Sequence, residues 1–291
     1  MPIRQITIIG TGLIGGSLGL ALKKRKFAGR IIGCDREATI EKARMCGAID
    51  AGTPNPGDSI HGSQVVVLAT PVLAIVDLIE RIGPALPAKT LLTDVGSTKS
   101  AIVGQATKVF GKNVGKRFLA GHPMAGRELS GIAHADPDLF RNTTYALIGE
   151  PPAKLGNAPR DPRETAFTKI LEKIGARPVW LGAQQHDYAV GLASHLPQLA
   201  AVALASFLYD RLDENGLPIT LAGPGLRDSL RLAGSPYHTW RDIVLTNREV
   251  LSAALDLFAR RLDDLRERLG SRELEADFDA ANELYKLLRS L

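Results

Sequence analysis

The stretch "ITIIGTGLIGGSLGLALKK", Ile6–Lys24, decides the predicted fold of this 291-residue chain. A β-branched run leads into three glycines in GxGxxG order, and a helical pattern follows them directly. The first glycine of that order permits a tight turn, the second lets the backbone approach a pyrophosphate, and the third lets helix and strand pack closely. The helix amino terminus then offers free N–H groups and partial positive charge to the phosphates. The predicted cofactor-binding residues of this loop are Gly10, Gly12, Leu13, Ile14 and Gly15.

A carboxylate strengthens the prediction of a dinucleotide site. The glycine pattern alone would also fit a turn that serves only the packing of the helix on the strand. Asp35 ends the second predicted strand, twenty residues beyond Gly15, where it can bond the adenosine ribose hydroxyls of a dinucleotide. Its charge disfavours a 2′-phosphate, so NAD is the preferred cofactor, although the adjacent Arg36 can tolerate NADP. Thr70 and Pro71 in "LATP" end another strand, at the sheet edge that the cofactor crosses. These residues together predict an NAD site.

Short β-branched runs alternate with helical patterns from Ile3 to Gly182. Near-continuous apolar strands separated by helices indicate a mostly parallel sheet covered on both faces. We therefore predict a doubly wound, Rossmann-type α/β nucleotide-binding domain over residues 1–182. The predicted strands are "ITIIG", "RIIGCD", "QVVVLAT", "TLLTDV", "KRFLAG", "TYALIG" and "RPVWLG". The predicted helices lie near Ile14–Lys24, Thr39–Met45, Val72–Arg81, Lys99–Val109 and Arg163–Ile174.

After Gly182 the strand signal disappears and long helical patterns follow. The apolar stripes of these helices must be buried against another surface. A subunit related by twofold symmetry most commonly provides that surface. We therefore predict that residues 183–291 form an all-helical domain through which the chain forms a homodimer. The patterns run over Gln184–Leu212, with Pro197 inside, and over Gly225–Ala233, Tyr237–Leu269 and Glu273–Leu291.

Composition and charge indicate a soluble protein with a small anionic ligand. Hydrophobic residues make up 45% of the chain, yet no continuous apolar run approaches the roughly 20 residues that span a bilayer. The formal charge of +5 is spread among acids, unlike the clustered basic face of a nucleic-acid-binding protein. No signal-peptide pattern is present, so we expect a cytoplasmic protein without membrane or nucleic-acid partners. Cys34 and Cys46 lack metal-ligand spacing, and we expect both to be reduced and buried, with no metal site.

A second motif, "LAGHPMAGRELSG" (Leu119–Gly131), places a histidine where binding sites are usually built. His122 follows a short apolar run and precedes a proline and two glycines. Polar residues in a Gly/Pro-rich turn after a strand rarely pack into a core. The motif therefore predicts that His122 belongs to a functional site, with a capping or core histidine as the alternative.

Taken together, the motifs of the chain resemble those of the prephenate/arogenate dehydrogenase family of tyrosine biosynthesis. The glycine loop, "LATP", "TDVGSTKS" and "GHPMAGRE" occur in the family's order, and "SHLPQ" and "LRDSLRLAGSPYHTWRDI" look like its two signatures in the helical region. The resemblance covers essentially the whole chain. It implies an NAD-dependent oxidoreductase that converts prephenate to 4-hydroxyphenylpyruvate by oxidative decarboxylation. The alternative within the family is an arogenate or dual cyclohexadienyl dehydrogenase that forms tyrosine.

The reaction that the resemblance implies makes three demands on the protein. Hydride leaves the ring carbon that bears the hydroxyl, the hydroxyl proton goes to a base, and the ring carboxylate departs as carbon dioxide. The protein must supply an acceptor for the proton, a cation for carboxylate and a dry pocket beside the nicotinamide. By the resemblance His122 is the base, because an imidazole titrates near neutrality and can both take and hold a proton.

The resemblance assigns roles to the "DVGSTK" run as well. Ser97 orients the substrate hydroxyl or His122, and its alternative role is to cap the helix predicted near Thr98. Asp94 and Lys99 are expected to hold the turn. The histidines outside the motifs are expected at the surface or in helix caps, and they are His61, His134, His186 and His238.

Substrate-binding residues come mainly from the helical region. Arg231 matches the family arginine that binds a substrate carboxylate, with Arg227 one turn earlier as the other candidate. Gln198 stands where many prephenate users have a histidine; it can still donate to a carboxylate but brings no positive charge. His195 is either a pocket residue or an internal hydrogen-bond partner. Glu128 is at the end of "GHPMAGRE", and its carboxylate would attract the ammonium of arogenate.

Two other functions fit part of the pattern. A β-hydroxyacid dehydrogenase also joins a Rossmann domain to a helical dimerisation domain. That class needs a catalytic lysine on a helix in the second half, and no lysine occurs between Lys173 and Lys286. A non-catalytic NAD-binding protein would keep the glycine loop and Asp35, but it has no need for the histidine, serine and arginine motifs together.

Overall fold

The structure, a computed structural model, describes residues 3–126, 129–150, 161–212 and 216–290. Two compact units divide the chain, Met1–Asn247 and Arg248–Leu291. The predicted boundary at residue 182 falls where the strands end, inside the first unit, and it stays a prediction about the division of roles.

A parallel sheet forms the centre of the first unit. The strands are β1 (Gln5–Ile9), β2 (Arg30–Cys34), β3 (Ala51–Thr53), β4 (Val65–Leu68), β5 (Leu91–Asp94), β6 (Phe118–Leu119), β7 (Gly121–Pro123), β8 (Thr144–Ile148) and β9 (Arg177–Leu181). Six of them form one sheet in the order β3-β2-β1-β4-β5-β6, and every neighbouring pair in it is parallel. The strand order reverses between β1 and β4, which creates the crevice where α/β proteins bind ligands.

The sheet is buried on both faces, as its apolar strands predict. Along β4, Val65 and Val67 belong to one hydrophobic core, and Val66 and Leu68 belong to another. All four side chains are 0% exposed. Because successive side chains of a strand point to opposite faces, helices must cover both sides of the sheet. The doubly wound architecture is therefore confirmed.

Helices flank these strands, and the bounds of the five predicted helices lie close to the observed ones. They are α1 (Leu13–Lys24), α2 (Glu37–Met45), α3 (Pro56–Ser59), α4 (Val72–Ile82), α5 (Ser100–Phe110), α6 (Val114–Arg117) and α7 (Pro162–Lys173). The sequence pattern does not predict α3, α6 or the strand β3, because elements of three or four residues are too short to show a period.

A separate three-stranded sheet, in the order β7-β8-β9, corrects the predicted assignment of the last strands. The segments "TYALIG" and "RPVWLG" form β8 and β9, which pair with each other and not with the large sheet. Strand β7 runs antiparallel to β8 and places His122 opposite Ala146. The chain leaves the parallel sheet at Ala120, whose carbonyl accepts from the Ile148 N–H at 2.9 Å. The predicted loop at His122 is therefore a short, paired strand.

Helical structure follows β9, with more breaks than the sequence predicts. Its elements are α8 (Ala183–Val190), a π-helical turn (Gly191–His195), α9 (Leu196–Tyr209), α10 (Leu217–Thr220), α11 (Pro224–Leu230), a 3-10 turn (Arg231–Gly234) and α12 (Tyr237–Thr246). The predicted helix Gln184–Leu212 is thus not continuous. Pro197 has no N–H for the carbonyl four residues earlier, and its ring would clash with that carbonyl, so the wider π turn accommodates it.

Two side-chain contacts attach α12 to the amino ends of α4 and α5. The Asp242 carboxylate accepts from the Leu73 N–H at 3.1 Å, in the first turn of α4. The hydroxyls of Thr98 and Thr246 lie 2.7 Å apart. The amino ends of α4 and α5 are therefore held by residues far along the chain.

Among the described residues, the helical run Ala183–Tyr209 is long and apolar enough to cross a membrane by length and composition. This corrects the expectation that no stretch of the chain approaches that length. The core helix of a soluble protein passes the same test. The apolar window of this run is 28% buried. The run also carries buried polar side chains that bond neighbouring elements, and these are His186, Asp187, His195 and Gln198.

The second unit consists of α13 (Arg248–Glu267) and α14 (Leu274–Arg289). Asp277 on α14 accepts from Arg261 and, at 3.1 Å, from Arg268. The predicted helix Tyr237–Leu269 is therefore interrupted at Asn247, between α12 and α13.

The two cysteines differ in their surroundings. Both are free thiols; Cys34 at the end of β2 is buried, whereas Cys46 after α2 is exposed. Burial raises the pKa of the Cys34 thiol to about 11. The prediction that both are buried is wrong for Cys46, because it follows α2 within an exposed run from Arg44 to Gly47.

Candidate active site

The three glycines after β1 have the geometry that a dinucleotide loop requires. Gly10 has φ of +95°, and a Cβ there would lie 2.5 Å from the Ala69 carbonyl oxygen. A Cβ on Gly15 would lie 1.9 Å from the Gly10 oxygen, so only glycine lets α1 pack on the turn. A Cβ on Gly12, by contrast, would meet no atom within 4 Å. Gly12 therefore borders open space that its missing side chain leaves for a ligand.

The open space beside Gly12 is a cavity of about 330 Å³ at the carboxyl ends of β1, β4 and β5. No side chain caps α1, and its first turn holds no acid, so its N–H groups are available to phosphates. This donor set and the glycine cradle fit the pyrophosphate of NAD. The predicted residues that line the cavity are Gly12, Leu13, Ile14, Thr70, Pro71 and Ser97.

Asp35 follows β2 and faces the glycine loop. Its carboxylate accepts from the Thr11 N–H at 2.8 Å and from the Arg36 N–H at 2.8 Å. These bonds fix the side chain and leave lone pairs on both oxygens for ribose hydroxyls. The Arg36 side chain is exposed. Asp35 is not among the residues that line the cavity, and its role as the ribose ligand stays a prediction.

A buried ion pair joins the "DVGSTK" turn to the strand that carries His122. Asp94 and Lys99 are both 0% exposed and bond each other. The Asp94 carboxylate also accepts from the Gly96 N–H at 2.8 Å and the Gly121 N–H at 3.2 Å. Burial raises the pKa of Asp94 and lowers the pKa of Lys99, and the ion pair opposes both effects. Gly96 precedes Ser97 and Gly121 precedes His122, so one carboxylate positions both predicted catalytic residues.

Ser97 lines the nucleotide cavity and is half-buried. Helix α5 begins at Ser100, and no side-chain cap comes from the residue before it. Instead the Asp187 carboxylate accepts from the Lys99 N–H at 2.7 Å and from the Ser100 N–H at 2.8 Å. The alternative role of Ser97 as a helix cap is therefore wrong, because a distant carboxylate satisfies those donors.

His122 is buried and belongs to a chain of three side chains. Its Nδ1 lies 2.9 Å from Nε2 of His186, and the His186 Nδ1 lies 2.9 Å from the Asp187 carboxylate. An ionised carboxylate only accepts, so the His186 Nδ1 carries a hydrogen. In neutral His186 the Nε2 atom is then an acceptor, and the His122 Nδ1 must donate to it. The chain thereby leaves Nε2 of His122 with a lone pair.

The surroundings of His122 keep its ring neutral. Burial lowers the pKa of His122 well below the ordinary value of 6.5, and the nearby His186 and Lys99 lower it further. The hydrogen bonds from His186 and from the first turn of α5 keep the pKa of Asp187 below its usual range despite burial. At neutral pH the site therefore presents an imidazole that can accept a proton, backed by a carboxylate.

His186 is the site residue that the sequence prediction missed. It was expected at the surface or in a helix cap, but it is only 1% exposed. The prediction is wrong because α8 packs its His186 face inward, against β8 and α5. The available signal was the spacing of four between His186 and the apolar Val190, which puts both on one face of a helix.

A second cavity, of about 720 Å³, lies among the predicted substrate-binding residues. Gln198 and Arg231 both line it, together with Ser194, Leu232 and Trp240. Arg227 is exposed and does not line it, so the structure favours Arg231 of the two arginine candidates.

Gln198 is 2% exposed. Its Nε2 donates to the Leu232 carbonyl at 2.8 Å, which ties α9 to the turn that carries Arg231. Its Oε1 is buried without a partner in the described part of the chain. One N–H of this amide nitrogen is therefore used within the protein, and donation of the second N–H to a substrate carboxylate stays a prediction.

His195 is buried and is not among the residues that line the second cavity. Its Nδ1 accepts from the Asn247 amide at 3.2 Å, and its ring packs edge-on against Trp240 at 5.8 Å between centroids. Burial lowers the pKa of His195 to about 4. Of the two predicted roles, the structure places His195 as an internal hydrogen-bond partner, while direct substrate contact stays a prediction.

The remaining predicted residues lie at the edges of the cavities or outside the described chain. Glu128 lies outside the described residues. His134 lines the second cavity and His238 the nucleotide cavity, whereas His61 is exposed. In the described ranges no group of three or more His, Cys, Asp or Glu could hold a metal ion.

Family models match both halves of the chain. The model described as "Prephenate dehydrogenase, nucleotide-binding domain" matches residues 18–177, and "Prephenate dehydrogenase, dimerization domain" matches residues 182–289. Prephenate dehydrogenase of Lactococcus lactis is 33% identical over 94% of this chain and 73% of its own length. Prephenate dehydrogenase of Bacillus subtilis is 31% identical over 93% and 71%, respectively. Cyclohexadienyl dehydrogenase of Zymomonas mobilis is 28% identical over 93% of this chain and 90% of its own.

Solved structures of the same kind share the fold over the whole chain. Prephenate dehydrogenase of A. aeolicus, in complex with hydroxyphenyl propionate and NAD+, has a TM-score of 0.85 at 28% identity and covers 100% of this chain and 98% of its own. Synechocystis arogenate dehydrogenase has a TM-score of 0.74 at 28% identity, with 98% and 96% covered.

Proposed function

The chain belongs to the prephenate dehydrogenase family, and from that membership we propose that it converts prephenate to 4-hydroxyphenylpyruvate with NAD as the oxidant, a step of tyrosine biosynthesis. The observation that carries the proposal is the position of one carboxylate. Asp94 bonds the backbone next to Ser97, which lines the nucleotide cavity, and the backbone next to His122, which is kept neutral. This shared carboxylate supports a reaction in which His122 acts as the base beside the departing hydride.

His122 takes the proton of the ring hydroxyl in this reaction. Bound NAD supplies the nicotinamide that accepts the hydride from the same ring carbon. The lone pair on Nε2 of His122 accepts the hydroxyl proton, and the Nδ1 hydrogen can pass to His186, beside the Asp187 carboxylate. When the carbon–carbon bond to the ring carboxylate breaks, its electron pair completes the aromatic ring and carbon dioxide leaves. The stored proton returns to the ring oxygen, so the reaction releases no net proton.

Ser97 and Arg231 position the substrate in this proposal. Ser97 lines the nucleotide cavity, and in this proposal its hydroxyl orients the substrate hydroxyl toward His122. Arg231 lines the second cavity and binds a substrate carboxylate, for which a guanidinium offers a fork of donors. Gln198, His195 and Glu128 complete the proposed substrate-binding set.

The proposal extends to assembly and location. Residues 1–182 bind NAD, and residues 183–291 contribute to substrate binding and form a homodimer. The family description of the second half as a dimerization domain supports the dimer. Apolar side chains exposed on α14 support it as well, and these are Phe278, Leu284, Tyr285, Leu287 and Leu288. A soluble biosynthetic enzyme of this kind acts in the cytoplasm, without nucleic-acid or membrane partners.

The initial rate of NADH formation by the purified protein tests the proposal, with prephenate and L-arogenate each assayed against NAD and NADP. We expect turnover of prephenate with NAD, and a much lower rate with NADP because Asp35 repels the 2′-phosphate. Binding of NAD without turnover of either acid would instead support the non-catalytic NAD-binding protein.

A further inference from the structure

Asn247, the last residue before α13, joins two buried residues through one amide nitrogen. Its Nδ2 donates to the backbone carbonyl of Asp187 at 2.9 Å and lies 3.2 Å from Nδ1 of His195. Asn247 and His195 are 4% and 2% exposed. Because a carbonyl can only accept, the bond to Asp187 fixes which end of the amide carries the two N–H groups. Both N–H groups are therefore used inside the protein.

This contact decides the tautomer of His195. An amide nitrogen does not accept, so Nδ1 of His195 must hold the lone pair that receives the second N–H. In the neutral ring the hydrogen then lies on Nε2. Protonation of Nδ1 would bring two N–H groups against each other, so the contact also opposes a charged ring. Burial acts in the same direction and lowers the pKa of His195 to about 4.

The rings of His122 and His195 are thereby given opposite properties. His122 holds its hydrogen on Nδ1 and offers a lone pair on Nε2, whereas His195 offers only an N–H on Nε2. A charge on His195 would lower the pKa of His122 further, so the two rings are electrostatically coupled. Asp187 sets both arrangements. Its carboxylate bonds His186, which in turn bonds His122, and its backbone carbonyl orients the amide of Asn247.

The N–H on Nε2 of His195 has no acceptor among the described residues. Some polar side-chain atoms of the described chain are fully buried without a partner, but this Nε2 is not one of them, so open space reaches it. Ser194 precedes His195, and Trp240 packs edge-on against its ring; both line the second cavity. Because N–H groups inside folded proteins are nearly always satisfied, a bound ligand is expected to bring the accepting oxygen.

We propose that Asn247 is a positioning residue that holds His195 neutral with its hydrogen on Nε2, so that His195 donates to a substrate oxygen and cannot take the hydroxyl proton in place of His122. This inference rests on the proposed function. The carboxylate and keto oxygens of prephenate are all acceptors, which suits a ring that can only donate. Of two buried histidines in one cluster, one then accepts a proton and the other never does.

The test compares the KM for prephenate at pH 6 and at pH 9, with NAD saturating, in the wild type and in Asn247→Asp. The introduced carboxylate accepts from Nδ1 of His195, so the ring carries its hydrogen there and its pKa rises. Below that pKa the charged ring still donates from Nε2, but above it the Nε2 lone pair faces the substrate oxygen. We expect the KM of Asn247→Asp to rise at least about tenfold between the two pH values, the size of one hydrogen bond to a charged group. The wild-type KM should stay within about twofold.

Asn247→Leu is the matched variant, because it loses the same bond to the Asp187 carbonyl but brings no charge to Nδ1. Its KM should change by no more than about twofold between the two pH values. Asn113→Asp adds a carboxylate at an exposed position whose side chain caps no helix, and it should behave like the wild type. A purely structural role of Asn247 would lower the stability of both variants without making KM depend on pH. A KM of Asn247→Asp that does not change with pH, or an equal change in Asn247→Leu, would overturn the proposal.

A measurement on the wild type guards against variants that fail to fold. In protein labelled with ¹⁵N-histidine, NMR distinguishes a ring nitrogen that carries hydrogen from one that does not, and the loss of signals in His195→Gln identifies those of His195. We expect hydrogen on Nε2 and none on Nδ1 from pH 8 down to pH 5.5. Hydrogen on Nδ1 in this range would contradict the inference. Absence of prephenate turnover by the wild type would contradict the proposed function, whereas the NMR measurement decides the tautomer without substrate.

Discussion

Nδ1 of His122 lies 2.9 Å from Nε2 of His186, and this bond decides which nitrogen of His122 can act as a base. We predict that His186→Asn lowers kcat by about tenfold or more, because the ring of His122 loses the acceptor that fixes its tautomer and orientation. The KM for NAD should stay within about twofold, since His186 does not line the nucleotide cavity. Steady-state kinetics with prephenate would check both values. A wild-type kcat in this variant would show that His186 only fills space.

Replacing the base itself should have a larger effect. In His122→Asn we expect kcat to fall by about 10²- to 10⁴-fold, the usual contribution of a positioned general base. The dissociation constant for NAD, measured by fluorescence titration, should change little because no bond joins His122 to the glycine loop. His61→Asn is the control, since that side chain is exposed. Comparable activity of His122→Asn and the control would exclude His122 as the base.

The rate should depend on pH through the protonation of His122. Its pKa lies well below 6.5 in the folded enzyme, chiefly because of burial. The base is active when neutral, so kcat/KM should stay on its plateau at pH 6.5 and decline only as the pH falls through that lower pKa. A pH profile of kcat/KM for prephenate would show this acid limb. A limb centred at or above 6.5 would mean that a different group limits the rate.

The glycine loop offers a matched pair of substitutions. Gly12→Ala should leave the free energy of unfolding nearly unchanged, because its Cβ meets nothing within 4 Å, but should weaken NAD binding by about tenfold or more. Gly15→Ala should destabilise the fold by about 1–3 kcal/mol or more, because its Cβ would lie 1.9 Å from the Gly10 oxygen. Denaturant unfolding and NAD titration separate the two effects. Equal loss of stability in both variants would refute this division of roles.

Asp35 should control the choice of cofactor. Asp35→Asn keeps an oxygen for the Thr11 N–H but removes the charge that repels a 2′-phosphate. We predict that the ratio of kcat/KM for NAD to that for NADP falls by about tenfold. Asp263→Asn, at an exposed position of α13, is the matched control. An unchanged ratio would mean that some other feature selects NAD.

Most of what the sequence predicts about the fold comes from patterns within short segments of the chain. The spacing of Gly10, Gly12 and Gly15, and the place of Asp35 after β2, are set by neighbours within one strand–helix–strand unit. The contacts that could not be predicted join residues far apart. His122 meets His186 across 64 positions, and Asp187 reaches α5 across 87, so no local period signals either bond.

The orientation of Gln198 was equally out of reach of the sequence. Composition says only that an amide can donate or accept. Its Nε2 donates to the backbone carbonyl of Leu232, which lies 34 positions away. The family motifs do not single out Leu232 as a polar residue. The neighbour that fixes the Gln198 amide therefore became visible only in the folded chain.

The cap that Asp187 places on α5 also constrains the order in which the protein assembles on the ribosome. The strands and α5 are synthesised first, and amino-terminal segments tend to fold as they emerge. The two N–H groups at the start of α5 and the Nδ1 of His122 nevertheless receive their partners only after residues 186 and 187 have emerged and α8 has docked. A nascent chain can thus form its glycine loop before the ring of His122 is fixed, because His186 is synthesised 64 positions after His122.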